Sequence, residues 1–219
     1  DNQHQQGYPP QQQGYPPQQG YSPQQQGFYA GNVEDLRALP LFVDYCKEHE
    51  LGNAFAASPD LGGTKRARDL ARKLSNSEKI YIVDKRRDGP GDSKALNVAG
   101  QLRRIRNKRV IIVDDIIDTG GTLVDASHML KGYGASEVYA FATHGIFSPF
   151  DSSSCEERLR SSGIKVVTTD TIPRDAEYYD RNKEWLTVVP TNEMVAKVIY
   201  RLQRGLSISE LYKEFGLDV

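Results

Sequence analysis

The sequence predicts an α/β fold: a single doubly wound, mainly parallel sheet with helices on both faces, preceded by a disordered tail. Three observations carry this expectation. Short apolar runs rich in branched residues alternate with amphipathic runs from about residue 33 onward. The run Val110-Ile111-Ile112-Val113 is apolar and branched at four consecutive positions, as in a parallel strand buried on both faces. The segments that follow the apolar runs gather carboxylates, glycines and cations, and open α/β sheets bind ligands at that edge.

Residues 1–31 stand apart. The repeats Gly7-Tyr8-Pro9-Pro10-Gln11-Gln12-Gln13, Gly14-Tyr15-Pro16-Pro17-Gln18-Gln19 and Gly20-Tyr21-Ser22-Pro23-Gln24-Gln25-Gln26 contain no Val, Ile, Leu or Met with which to build a core. Such a segment cannot offset the entropy of ordering, so it is expected to be disordered with polyproline character. It reads either as a passive extension or as a tyrosine/glutamine segment for self-association or proline-motif recognition. Residues 32–219 suffice for one α/β domain.

Within that domain, residues 33–50 carry Leu36, Leu39, Leu41, Phe42 and Tyr45 and predict a short leading helix. Residues 53–57 read as the first strand and 58–63 as a loop. Residues 64–74 form a helix with Thr64 as its cap and Ala67, Leu70, Ala71 and Leu74 on one face. A strand at 79–83 precedes a polar, flexible loop over 84–94 that contains Gly89-Pro90-Gly91. A strand near 97–102 and the central strand at 110–113 follow. The turn Asp118-Thr119-Gly120-Gly121-Thr122 leads into an amphipathic helix over 123–130. Further strands are expected at 137–143, 165–169 and 185–189, with a helix at 155–160. A helix over 191–203 should turn Met194, Val195, Val198, Ile199 and Leu202 inward, and a short helix should close the chain at 208–215.

With 28 basic and 29 acidic residues the net charge is −1, which disfavours nucleic-acid and membrane-surface partners. The basic run 103–109 reads as the border of a phosphate site or a solvated strand end. Two cysteines, Cys46 and Cys155, are too few for a disulfide framework or a zinc site and suit a reducing compartment. No apolar stretch approaches bilayer length and no apolar signal region opens the chain, so a cytoplasmic protein is expected. The first residue is Asp1, which suggests a fragment or a processed product.

The turn after the central strand has the chemistry of a phosphate cradle. Gly120 and Gly121 can take positive φ and bring backbone N–H groups close to an anion. The helix start adds its positive end, and Thr119 and Thr122 add hydroxyls. Asp114 and Asp115 would repel a phosphate but suit sugar hydroxyls or a hydrated Mg²⁺. Phosphate at one end and diol or metal at the other describe a ribose 5-phosphate. A capped helix after a buried strand, with no ligand, is the structural alternative. Two adjacent carboxylates at a ligand edge are costly to keep together without a partner, which favours the site.

Two more segments should reach the same edge. Asp60-Leu61-Gly62-Gly63 joins a carboxylate to a glycine pair, and Asp84-Lys85-Arg86-Arg87-Asp88-Gly89 is a cationic cluster on a loop. Asp60 could hold a metal or simply terminate a turn. Lys85 and Arg87 alternate along an extended loop, so they point the same way and could close over a transferring phosphoryl group. A solvated loop is the plainer reading of that cluster. Lys65 and Arg66 sit at a helix start, where cations are unfavourable unless an anion is near, a hint of phosphate. His144 reads as a structural histidine near the sheet edge.

The run 109–123 resembles the phosphoribosyl-pyrophosphate (PRPP) loop of type I phosphoribosyltransferases and PRPP synthetases. Ser58-Pro59-Asp60-Leu61-Gly62-Gly63, Asp84-Lys85-Arg86-Arg87, Asn97-Val98-Ala99-Gly100, Thr143-His144-Gly145-Ile146-Phe147-Ser148 and Thr169-Asp170-Thr171-Ile172-Pro173 accompany it. Together, in this order, they are similar to the C-terminal half of PRPP synthetases (ribose-phosphate diphosphokinases). The resemblance implies a type I phosphoribosyltransferase-like fold. It implies that Asp114, Asp115, Asp118, Thr119, Gly120, Gly121 and Thr122 hold ribose 5-phosphate, that Asp60 is a Mg²⁺ ligand, and that Lys85 and Arg87 stabilise the transition state. ATP would be the co-substrate, PRPP the product, and a homo-oligomer or association with full-length synthetase subunits the assembly.

Members of that family carry an N-terminal domain of similar fold that supplies much of the ATP site. The present sequence has the glutamine-rich tail in its place, and the family pattern resumes near Gly27-Phe28 or Val33. The ribose 5-phosphate half of the site is therefore expected to be present without the ATP half. Three readings follow: a PRPP synthetase that needs the missing half or a partner, a stand-alone phosphoribosyltransferase, and a non-catalytic regulatory subunit.

Overall fold

The computed structural model describes residues 36–75, 78–86, 95–149 and 153–214, with backbone alone for 84–86 and 95–97. The tail at 1–31 lies outside the described residues.

The strands are β1 (Phe55–Ser58), β2 (Tyr81–Arg86), β3 (Ala95–Ala99), β4 (Arg109–Ile117), β5 (Glu137–Gly145), β6 (Lys165–Thr169) and β7 (Leu186–Val189). They form a seven-stranded sheet in the order β3-β2-β1-β4-β5-β6-β7. Every neighbouring pair is parallel except β2 and β3, which are antiparallel. The helices are α1 (Leu39–Glu48), α2 (Thr64–Ser75), α3 (Gly121–Gly132), α4 (Cys155–Ser162), α5 (Ala176–Asn182), α6 (Asn192–Gln203) and α7 (Ile208–Glu214).

The period-2 rule divides the central strands between two cores. Val110 and Ile112 of β4 join Val138, Ala140 and Ala142 of β5 against Leu123, Ala126 and Leu130 of α3 and Leu159 of α4. Ile111 and Val113 join Tyr139 and Phe141 against Phe42 and Cys46 of α1 and Ala67 and Leu70 of α2. A strand covered on both faces has no polar alternate positions, which is why the sequence shows four apolar residues in a row. Each fully buried branched side chain contributes about 1.5–3 kcal/mol. Phe141 anchors the second core, with the rings of Phe42 and Tyr45 at 5.2 and 5.6 Å.

Both cysteines are buried free thiols, and burial pushes each up to about 12. Neither should react with a thiol reagent at pH 8 in the folded protein, and both should react after denaturation, as titration of released chromophore would show.

Three expectations are corrected, and one helix was not foreseen. The polar loop begins later than 84, because Asp84–Arg86 continues β2 and pairs in register with Ala95–Asn97 of β3. The next strand ends at Ala99, and Leu102–Arg104 is a 3₁₀ turn. Helix α5 has no apolar period to reveal it. It is held by Asp175, whose carboxylate accepts the Tyr178 N–H, and by Asn182, whose Oδ1 accepts from the Trp185 indole and the Arg160 guanidinium. Finally, α6 buries only Met194 and Val198, while Ile199 and Leu202 are more than half exposed and Val195 is also exposed. Helix α6 is peripheral: Val198 packs with Ile208 and Leu211 of α7 and with Leu36 and Leu39, so a single narrow stripe is covered. No helix among the described residues is long and apolar enough to cross a membrane.

Candidate functional site

The chain leaves β1 toward β2 on one side, while β4 lies on the other and begins the run toward β7. The gap between β1 and β4 is therefore the topological switch point, where two loops diverge and leave a crevice. Those loops are the Asp60 turn after β1 and the 118–122 turn after β4.

Asp114 and Asp115 lie inside β4, not beyond its end as expected. Pairing with β1 stops at Ala57 opposite Ile112, whereas pairing with β5 continues to Gly145 opposite Ile117. The two aspartates thus occupy a stretch of strand with its β1-side edge open. Into this opening comes the first turn of α2. The Arg66 guanidinium reaches Asp114 Oδ1 from Nη2 at 3.3 Å and Asp115 Oδ2 from Nη1 at 3.2 Å. Asp114 Oδ1 also accepts the Asp115 backbone N–H at 2.9 Å. Burial and the neighbouring Asp115 carboxylate raise Asp114 from 3.8 to about 6, against the pull of that backbone N–H and of Arg66.

The anion that Arg66 faces is thus internal. A cation at a helix start is the oddity the sequence shows, and its partner is the aspartate pair where a phosphate was expected.

The 118–122 turn is built to hold a fixed shape. Gly120 sits at φ +73° as the N-cap of α3, and its carbonyl accepts the Val124 N–H at 3.0 Å. A Cβ there would lie 2.9 Å from Cys155 Sγ and 3.3 Å from the Leu159 side chain, so α4 presses on the glycine. Gly121, by contrast, faces open space. The chain leaving β5 braces the turn from below: Ile146 and Phe147 N–H groups donate to the Ile117 carbonyl, and Ser148 N–H to that of Asp118. The Arg158 guanidinium donates to the Thr119 carbonyl. Nothing in the sequence announces that contact across 39 positions. Asp118 is exposed, and Thr119, Gly121 and Thr122 are half-buried at the helix start.

Asp60 closes the first turn of the neighbouring loop. Its Oδ1 accepts the Gly63 N–H at 2.8 Å, and its carbonyl accepts the Ser58 hydroxyl at 2.7 Å. The residue is exposed, and its other carboxylate oxygen has no hydrogen-bond partner among the described residues. Thr64, expected as a cap, is the first residue of α2, and its hydroxyl donates to the Leu61 carbonyl. Lys85 lies in β2 with its backbone opposite Leu96, and Arg87 lies outside the described residues. The structure therefore brings Asp60, Asp114, Asp115 and the 118–122 turn to one sheet edge, with Lys85 on the strand that borders β1. His144 pairs across from Ile116, and its Nδ1 is 2.8 Å from the Thr171 hydroxyl, which donates to the Thr143 carbonyl.

No group of three or more His, Cys, Asp or Glu side chains among the described residues is placed to hold a metal ion. The donors present are oxygens in ones and twos, Asp60 alone and Asp114 with Asp115. That set fits Mg²⁺, which takes one or two carboxylates, keeps several waters and completes its shell with substrate phosphates.

Comparison with known proteins bears on the family and the fold. Residues 62–213 match the family described as phosphoribosyl synthetase-associated domain. The chain is 43% identical over 187 residues to the ribose-phosphate pyrophosphokinase of Aquifex aeolicus, covering 84% of this chain and 56% of that protein. It is 37% identical over 174 residues to the enzyme of the same name from Gloeobacter violaceus, covering 80% and 49%. The crystal structure of phosphoribosylpyrophosphate synthetase from Mycobacterium smegmatis superposes with a TM-score of 0.66 at 29% identity, over 84% of this chain and 56% of that one. The chain spans about half the length of the curated relatives it matches. On the family match, and on a sheet and turn of the kind described above, the chain belongs to the ribose-phosphate pyrophosphokinase (PRPP synthetase) family.

Proposed function

We propose that this chain carries the ribose 5-phosphate half of a ribose-phosphate diphosphokinase site, in which pyrophosphate passes from Mg-ATP to the sugar. The observation that carries the reading is the doubly acidic end of β4 running directly into a turn capped by left-handed Gly120. The sugar phosphate would lie against Thr119, Gly121 and Thr122 and the positive end of α3, with its diol toward Asp114 and Asp115. In the transfer, the anomeric hydroxyl oxygen bonds to the β-phosphorus as the bond to the α-phosphate oxygen breaks. The hydroxyl proton is lost to solvent, and AMP leaves. The protein's part is positioning and charge neutralisation. Lys85 and Arg87 would supply cations, and Asp60 would hold the ion on the nucleotide side. Mg²⁺, when bound, supplies charge neutralisation of the phosphates.

Much of the ATP site is proposed to come from another domain or subunit, as a homo-oligomer or a full-length synthetase partner. The same turn also suits a second reading, a subunit that binds the sugar phosphate and docks on a synthetase without turnover.

One calorimetric and kinetic series separates them. Ribose 5-phosphate with Mg²⁺ should bind with measurable heat and shift the amide resonances of Thr119–Thr122. PRPP and AMP should then form from Mg-ATP once a domain or subunit completing the ATP site is supplied, and Lys85→Ala should abolish that turnover while leaving sugar-phosphate binding within about threefold. Binding without turnover supports the docking subunit. Absence of binding overturns both readings.

A further inference from the structure

We propose that Arg66 is the built-in counter-ion of the Asp114–Asp115 pair and must leave it before the pair can take a ligand, which makes Arg66 a positioning residue of the site. The inference deepens the sugar-phosphate reading and rests on it for the identity of the ligand.

The argument is geometric. One guanidinium spans both carboxylates, Nη2 to Asp114 Oδ1 at 3.3 Å and Nη1 to Asp115 Oδ2 at 3.2 Å. Among the described residues no other basic side chain is ion-paired with either aspartate. Asp114 Oδ1 already accepts the Asp115 N–H, so the guanidinium takes up the remaining capacity of that oxygen facing the opening. A diol or a hydrated cation that bridges the two carboxylates would meet the guanidinium already spanning them. Ligand and Arg66 therefore compete.

Placement makes the competition winnable. Arg66 is the third residue of α2, where the helix dipole disfavours a cation, so among the described residues only the aspartates hold it there. The side chains of Arg66 and Asp115 are 42% and 55% exposed, and ion pairs this open to water are weak and exchange readily. A guanidinium cannot deprotonate to yield its place, so it has to move. The site is thus a carboxylate pair closed by a hinged cation until a ligand replaces its hydrogen bonds.

Mn²⁺ titration of the whole chain, followed by the electron paramagnetic resonance of the free ion, tests this without turnover. Arg66→Gln removes the competing charge and should tighten Mn²⁺ binding by roughly three- to tenfold, with Arg66→Lys, a point charge that reaches one carboxylate, in between. Asp114→Asn should weaken Mn²⁺ binding in either background. Unchanged or weaker Mn²⁺ affinity in Arg66→Gln, with circular dichroism matching the parent, overturns the inference. So does an Mn²⁺ affinity that Asp114→Asn leaves unchanged. Tightened Mn²⁺ binding in a chain that gives no heat with ribose 5-phosphate would instead support Arg66's role and remove the sugar-phosphate reading.

Discussion

Replacing Gly120 by alanine is expected to lower the melting temperature by roughly 5–15 °C and to abolish ribose 5-phosphate binding. The backbone at this position has φ +73°, and holding an L-residue there costs about 1–2 kcal/mol. The added methyl group would meet Cys155 Sγ at 2.9 Å and Leu159 at 3.3 Å, and overpacking of this kind adds about 1–3 kcal/mol. For a domain of this size each kcal/mol shifts the melting point by about 2–4 °C. Relief of the clash would rotate the first turn of α3, and the N–H groups proposed to hold the phosphate would turn with it. Gly121→Ala is the control. Its Cβ would meet nothing within 4 Å, so its melting point should stay within about 2 °C of the parent. Scanning calorimetry and isothermal titration on both variants decide the matter, and equal effects at 120 and 121 would show that the turn is not held by α4.

Asp114→Asn should raise the stability of the ligand-free protein at pH 7 while weakening both ribose 5-phosphate binding and metal binding. The folded-state carboxyl sits near 6, above its ordinary 3.8, chiefly because it is buried. A raised carboxyl binds its proton more tightly in the folded chain than in the unfolded one. Its stabilising contribution is therefore complete below pH 3.8 and disappears as pH rises through 6. Above that window the protein carries a buried charge at a cost of roughly 1–3 kcal/mol, moderated by Arg66. Asparagine keeps the oxygen that accepts the Asp115 N–H and never ionises. The parent's melting temperature should then fall from pH 4 to pH 7 relative to that of Asp114→Asn, with the two curves converging at the acid end. Parallel curves would show that burial does not strain Asp114. A site residue that destabilises the empty protein and is relieved by ligand is the expected trade between stability and function.

Much of the fold and of the turn is legible in short stretches of the chain. The four apolar residues at 110–113 require a strand covered on both faces, because only that environment makes polar alternation unnecessary. The helix expected at 155–160 forms as α4, and the structure adds its caps, a Ser154–Glu157 capping box and a left-handed Gly163. The 118–122 turn and its position before a helix are legible for the same reason: glycine, threonine and aspartate act on their own immediate backbone. What escapes local reading is longer in range. Whether Val195, Ile199 and Leu202 face a core depends on what lies beside α6, and a helical period cannot say that. The length of β2 depends on a β3 partner, and α5 on side chains from α4 and on Trp185.

By itself, then, the sequence determined the fold class, the order of elements through most of the chain, the glycine turn after β4 and the pairing of two carboxylates before it, because each is written in neighbouring residues. Only the tertiary structure decided that those carboxylates sit within β4 on an edge that β1 leaves open, that Arg66 closes the edge, and that Cys155, Leu159 and Arg158 clamp the turn. These are contacts between residues roughly thirty-five or more positions apart. Such contacts are fixed by which strands pair and where that pairing stops, and no local pattern records it.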